Sequence, residues 1–286
     1  KRFIEEGYKV IGIDNLSNGN IKNVPKEVDF INIDLVNSNS FNLIPSGCEF
    51  ILHLAGQSSG EISFENPQRD LEKNTVATIN LIEQGIQNNV EKIVYASSMS
   101  VYGNYKNRIS ENMKLNPISC YGTGKLASEN YLRIFSKRLP FIIFRMFNVY
   151  GPGQDMENLK QGMMSIYLSQ AMKKKKIIVK GSQKRKRDFI FIEDVVDIWY
   201  KSIFNKNVIN QTFNLGSGKA ISVQKLLDQI LTHFPGCKIK YIEGTPGDQF
   251  SVCSNNNLLK KKFKFKNFTP LNTGLKKFIE SFDLKK

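Results

Sequence analysis

Histidine and cysteine are scarce in this 286-residue chain, which holds two of the first and four of the second. Cys48, Cys120, Cys237 and Cys253 stand far apart, with no Cys-x-x-Cys pair. That pattern supplies neither a zinc ligand set nor a disulfide framework, so reduced structural thiols and no metal are expected. Long apolar runs are also lacking: none approaches the roughly 18 residues of a membrane-spanning helix. The opening Lys1 to Glu6 has no apolar core of a secretory signal. These absences lead us to expect a cytoplasmic protein with no membrane partner. Repeats and low-complexity linkers are missing too, while a hydrophobic content of 41% is enough to bury an ordinary core.

Acidic residues are in deficit, 26 against 41 basic ones, for a formal charge of +15. The basic runs Lys173 to Lys176, Lys184 to Arg187 and Lys260 to Lys262 lie in the second half, and acids are interspersed elsewhere. We read these runs as a solvated basic face and expect no nucleic-acid partner; an anionic small substrate would profit from the same field. A non-catalytic scaffold turned to RNA binding or regulation is the alternative of another class.

Tyr8 to Asp14, Val28 to Asp34, Phe50 to Ala55, Lys92 to Ala96 and Phe141 to Arg145 read as short apolar strands. Helical stretches from about Asp70 to Asn88 and Tyr121 to Lys137 fall between them. Nearly continuous apolar strands alternating with helices predict a parallel sheet covered on both faces, a doubly wound α/β fold of the Rossmann type. After Gly151-Pro152-Gly153 the rhythm loosens: a helix near Gln161 to Met172, a strand near Ile177 to Lys180, then Asp188 to Ile192 leading into a helix. We expect 1–147 with about 188–218 to form a dinucleotide-binding domain, and about 148–187 with 219–286 a smaller α/β substrate-binding domain. In dinucleotide-binding folds a first strand and a glycine-rich turn precede the first helix. Lys1 to Gly7 reads as the end of that helix, which implies roughly 20 residues of strand and turn upstream.

Asp14 ends the second strand of such a fold, where an acid accepts hydrogen bonds from the adenosine ribose and repels the extra phosphate of NADP, so NAD is the expected cofactor. A strand-terminal acid is as often a plain turn former. Asp34-Leu35 repeats the design, and His53 to Gln57 is a strand end of small residues that would allow a cofactor close approach; His53 itself reads as a packed core histidine. Tyr121 and Lys125 are four apart, on one helix face, where an ammonium, helped by the positive nicotinamide of the expected NAD, can lower a phenol's pKa from about 10 towards a value useful for a base. That spacing alone is weak, since Tyr102 and Lys106 share it. Tyr102, however, is followed by the turn signal Gly103-Asn104, whereas Tyr121 opens a helix. Ser98, on the loop after a strand, can orient a substrate oxygen towards Tyr121.

The ordered pieces Asp14-Asn15-Leu16-Ser17, His53-Leu54-Ala55, Asn74, Ser98 to Gly103, Tyr121 to Lys125, Arg145 to Gly151, Arg187-Asp188-Phe189, Phe213 to Gly218 and Pro246-Gly247-Asp248 resemble the NAD-dependent epimerase/dehydratase family. Within it they are most like the UDP-glucose 4-epimerase branch, over nearly the whole chain. The resemblance implies a catalytic set of Ser98, Tyr121 and Lys125. It implies cofactor contacts from Asp14, Asn15, Asp34, Leu35, Leu54, Ala55, Gln57 and Asn74 as well as Tyr121 and Lys125. For a nucleotide-diphosphate sugar it implies Ser98, Ser100, Asn148, Arg187 and Asp248, with Asn148 and Arg187 on the diphosphate. It further implies a homodimer.

The dehydratases of the family carry an Asp-Glu pair after the active-site hydroxyl residue, and the sugar-acid decarboxylases a glutamate at the second position. Met99 and Ser100 stand there in this chain and cannot exchange protons in that way. Epimerisation, at C4 through a 4-keto intermediate, is the expectation, with a 4-keto-sugar reductase or a dehydratase as the alternative. Two departures mark the substrate. Thr245 replaces the family's arginine before Pro246-Gly247-Asp248, so a nearby lysine must supply the charge or the substrate differs. Glu61, in Gly60-Glu61-Ile62-Ser63-Phe64, sits where the epimerases have a loop facing cofactor and sugar.

Overall fold

The apolar runs form the strands, and helices cover them. The computed structural model describes residues 1–37, 47–160, 162–244 and 248–283. In chain order the elements are α1 (Arg2–Glu5), β1 (Ile11–Asp14), β2 (Asp29–Asn32), β3 (Phe50–His53), α2 (Gly60–Glu65), α3 (Pro67–Leu71), a π-helical turn (Glu72–Val76), α4 (Ala77–Gln87), β4 (Lys92–Ser98), α5 (Cys120–Ile134) and β5 (Phe141–Met146). There follow β6 (Asn148–Tyr150), α6 (Met163–Lys174), β7 (Lys176–Lys180), β8 (Lys186–Phe191), α7 (Ile192–Phe204), β9 (Gln211–Leu215), β10 (Ala220–Ser222), α8 (Val223–His233), β11 (Lys238–Ile242), α9 (Asn257–Phe263) and α10 (Leu271–Asp283). The first strand starts three residues later than its apolar run, because Tyr8 packs its ring against Phe3 at 5.8 Å and Phe204 at 6.0 Å instead.

Strands β3, β4, β5 and β9 form an all-parallel sheet. Alternate side chains of β4 and β5 go to opposite faces. Ile93, Tyr95 and Ile143 meet Leu81 and Ile82 of α4 and Leu132 of α5 on one face. On the other, Val94, Ile142 and Phe144 meet Ile198 and Trp199 of α7 and Phe263 of α9. Both faces are thus covered, which is why these strands read as unbroken apolar runs. β1 and β2 form their own parallel pair, and no strand pairing joins it to the four-stranded sheet among the described residues. A further core gathers Leu168 of α6, Ile177 and Val179 of β7, Leu226 and Ile230 of α8 and Phe278 of α10. β8 ties the two parts together, because Phe189 and Phe191 enter this core while Ile190 enters that of α7.

The stretch expected as one helix from Asp70 to Asn88 is α3, the π turn and α4 in succession. Asn66 caps its start, accepting from the Arg69 amide at 3.0 Å, with Pro67 in the first turn. Such π turns reset which side chains share a face, and here the turn leaves Asp70 and Asn74 both buried.

Candidate active site

Ser98 ends β4 in extended conformation, and its hydroxyl accepts from the Ser100 amide at 3.2 Å, capping the tight turn Met99–Val101. α5 opens against that turn. Ser119 caps the helix by accepting from the Gly122 amide at 3.1 Å. A Cβ on Gly122 would lie 2.5 Å from the Ser100 carbonyl oxygen, so glycine permits the approach that sets Tyr121 beside Ser98. Tyr121 and Lys125 share the inner face one turn apart, and Lys125 is 4% exposed. Its ammonium stands 4.9 Å from the Tyr95 ring centroid and 5.9 Å from that of Tyr121, and makes no hydrogen bond to a described residue.

Electrostatics here differ from the expectation. Burial pushes the Tyr121 phenol up to about 12, the Asp70 carboxylate adds to the rise, and the facing Ser98 side chain pulls the other way. Burial also pushes Lys125 down to about 8, opposed by Asp70. In the chain alone Tyr121 thus stands above its ordinary value and Lys125 below it, because burial penalises both charged forms and outweighs what opposes it at each.

Most of the expected cofactor contacts end or follow the parallel strands β1, β2 and β3, where open α/β sheets bind ligands, while Asn74 comes from the π turn and Tyr121 and Lys125 from α5. Asp14 ends β1 and accepts from the Leu16 amide at 2.7 Å. Asn15 donates to Asp34 at 2.9 Å, and Asp34 also takes Lys73. Although burial raises it, Lys73, the Val36 amide and Asn15 together hold Asp34 below its ordinary pKa. Leu35 is buried, its carbonyl accepting from Asn80 at 2.8 Å. Past β3, Leu54 is 62% exposed, Ala55 and Gly56 are bare, and Gly56 has φ 142°, a region that favours glycine. Asn74 is fully buried with Oδ1 unpartnered. Gln57 donates to Asp70 at 2.7 Å. An exposed leucine beside open backbone, an unpartnered amide oxygen and an ammonium without a hydrogen bond fit a flat, partly apolar cofactor bearing hydroxyl groups. His53 is 2% exposed and bonded to Thr78 at 2.9 Å; burial, with Lys125 near, pushes it down to about 3.

On the far side of Ser98, Asn148 donates to the Asp188 carbonyl at 3.1 Å and lies 3.8 Å from the Met99 sulfur. One residue before Asp188, Arg187 is 3% exposed and pairs with Asp248. Arg185 pairs with the same carboxylate. Burial and the neighbouring Arg185 charge push Arg187 down to about 10. Thr245 lies outside the described residues, and with it the question of which cation stands in for the family's arginine; beside Asp248 the second cation is Arg185. The expectation that Lys184 to Arg187 is a solvated face holds for half of it only: Lys184 and Lys186 are exposed, Arg185 and Arg187 buried. Reading that run with the two-residue period of a strand separates the two pairs. Glu61 belongs to the short helix α2 and pairs with Lys180 at 2.8 Å.

Sequence reasoning passed over Asp70, although its four-residue spacing from Asn74 would place both on one helical face. It also passed over a buried network behind the site. Glu129 of α5 accepts from Arg145 at 2.9 and 2.7 Å, from Ser97 at 2.6 Å and from Arg133 at 2.7 Å. Arg145 also donates to the Tyr102 hydroxyl at 2.8 Å. Tyr102, the second tyrosine with a lysine four residues on, is fully buried in this network and is not a site residue.

Comparison with known proteins gives the same picture. The profile of the NAD dependent epimerase/dehydratase family matches residues 1–216. A putative UDP-glucose 4-epimerase of Methanocaldococcus jannaschii is 34% identical over 251 residues, 86% of this chain and 80% of that protein. The crystal structure of a Thermotoga maritima UDP-glucose 4-epimerase with UDP-glucose superposes with a TM-score of 0.92 at 28% identity, covering 99% of this chain and 94% of that one. A Thermus thermophilus UDP-glucose 4-epimerase complexed with NAD gives 0.89 at 25% identity, covering 99% and 93%. With its parallel sheet, Ser98, Tyr121 and Lys125 gathered at the carboxyl end, and this profile match, the chain belongs to the NAD dependent epimerase/dehydratase family.

Proposed function

We propose that the protein epimerises a nucleotide sugar at C4, with NAD as a tightly held cofactor and UDP-glucose or UDP-galactose as the substrate type. The observation that carries this reading is Ser98 and Tyr121 meeting at the end of β4 while Met99 and Ser100, the next two positions, offer no acid and base for elimination. Bound NAD, which Asp14, Asp34, Asn74 and Lys125 would hold, would supply the hydride acceptor and donor for C4. Tyr121 takes the proton of the O4 hydroxyl as the C4–H bond breaks, leaving a 4-keto sugar. After the sugar turns, Tyr121 gives the proton back as C4 is reduced from its other face. Ser98 orients O4, and Lys125 holds the cofactor ribose and supports Tyr121. No net oxidation results.

Residues 1–147 with about 188–218 serve the cofactor in this reading, and the remainder the nucleotide. Asn148, Arg187 and Arg185 hold the diphosphate. Guanidinium forks suit that task, and Asp248 aligns both forks. The test is incubation of the NAD-loaded protein with UDP-glucose, no reductant added, and chromatographic separation of the sugars. Formation of UDP-galactose that Tyr121→Phe abolishes is the expected result. Turnover that instead consumes NADH on a 4-keto sugar would replace epimerisation with net reduction.

A further inference from the structure

Asp70 is a buried carboxylate with half of its hydrogen-bonding capacity unused. It is 2% exposed. Its Oδ1 accepts from Gln57 at 2.7 Å and from Asn74 at 3.1 Å, whereas its buried Oδ2 has no hydrogen-bond partner. Leaving a buried carboxylate oxygen unpaired is costly unless a counter-charge is near. Oδ2 faces α5: a Cβ on Gly124 would lie 3.5 Å from it, and the next residue is Lys125. The titratable groups facing Lys125 are Asp70 near the start of the α3–α4 segment, His53 of β3, Tyr95 of β4 and Tyr121 one turn earlier on α5. His53 and both phenols are neutral at physiological pH. Burial raises the Asp70 carboxyl as well, opposed by Gln57, the Lys125 charge and Asn74, and as the acid of that set it is the group that supplies negative charge.

The carboxylate also fixes an amide. Because Oδ1 of Asp70 can only accept, the Asn74 NH2 must point to it, which turns the Asn74 oxygen the other way. That oxygen and the Lys125 ammonium come together at Gly56, at 2.5 and 3.5 Å from where a Cβ there would stand. We propose that Asp70 is a positioning residue which keeps Lys125 charged and turns the Asn74 carbonyl oxygen towards it. This rests on the reading of Lys125 as a working residue, but not on which sugar is turned over.

The test is competitive labelling of Lys125 with acetic anhydride across pH, quantified by mass spectrometry in the full chain without substrate, so that its result is independent of epimerase activity. Wild type should show a midpoint of about 8. Asp70→Asn keeps the shape and removes the charge; its midpoint should fall by about one pH unit or more, giving labelling at pH 7 that is roughly fivefold faster or more. Asp70→Glu should hold the wild-type midpoint. A purely structural Asp70 would lower the melting temperature and leave the midpoint of Asp70→Asn unchanged, which would overturn the proposal. If Asp70→Asn does not fold, a fallen midpoint in Asp70→Glu, which keeps the charge, overturns it equally.

Discussion

Replacing Glu129 by Gln tests whether the helix bearing Tyr121 and Lys125 is anchored by charge. Glu129 is fully buried and receives four hydrogen bonds, two from Arg145, itself 2% exposed, and one each from Arg133 and Ser97. Glutamine keeps the shape but leaves the Arg145 guanidinium without its counter-charge. Breaking a buried pair in this way costs about 3–5 kcal/mol. At roughly 2–4 °C per kcal/mol for domains approaching this size, the melting temperature should fall by on the order of 6–20 °C. Urea unfolding followed by circular dichroism reads the free energy directly. The sign with pH follows from the shift. Arg145 first, then Ser97 and Arg133, outweigh burial and hold Glu129 below its ordinary value of 4.5. Its stabilisation is therefore present above about pH 4.5 and drains away as pH falls through the lower folded value. Glu129→Leu with Arg145→Met should recover much of the loss, since a buried pair is often no better than apolar residues of similar size. A loss under about 1 kcal/mol in Glu129→Gln would refute the anchoring argument.

His53 gives a second pH signature. Its folded pKa of about 3 lies below the ordinary 6.5, so the unfolded chain binds the extra proton and stability falls as pH drops from 6.5. Between pH 6.5 and 5 wild type should lose about 2 kcal/mol that His53→Gln does not lose; parallel curves for the two proteins in denaturant titrations would contradict this. For the proposed diphosphate site, Arg185→Gln should weaken UDP binding roughly tenfold to a hundredfold, the worth of one charge-assisted contact. Lys184→Gln, one residue away but exposed, should change calorimetric affinity little. Equal losses in the two variants would mean that only the general basic field is felt.

Periodicity made the sheet and its covering helices legible, because strands buried on both faces must be apolar throughout and cannot hide among loops. The order Ser98, Tyr121, Lys125 was legible for a related reason: Ser98 ends a strand, Tyr121 stands at a helix start and Lys125 one turn on, and the signals for all three are local. What escaped was set by contacts across the fold. Asp70 reads as a helical acid like any other, and its interest lies in Lys125, which is 55 residues distant in sequence and meets it only through packing of the α3–α4 segment against α5. Arg185 was hidden by composition, since a run of four basic residues looks solvated until the strand alternation is applied. The pKa directions were not legible either, because spacing reports a partner's charge and says nothing of burial, the largest influence on Tyr121 and Lys125 alike.

Those two shifts have a joint consequence. Burial moves the phenol up and the amine down, so as pH rises Lys125 loses its proton before Tyr121 does. A tyrosinate beside an ammonium is thus not the resting arrangement of the chain alone. Tyr121 can become a base near neutral pH only if further positive charge enters the pocket, and the oxidised nicotinamide ring carries such a charge. Asp70 works in both directions at once: it favours the ammonium of Lys125 and opposes the phenolate of Tyr121. If Tyr121 is the base proposed above, it would stay protonated until the cofactor's positive charge lies next to it. In the proposed reaction the proton and the hydride of the sugar alcohol would then be drawn off together, and an alkoxide with nowhere to send its hydride would not form.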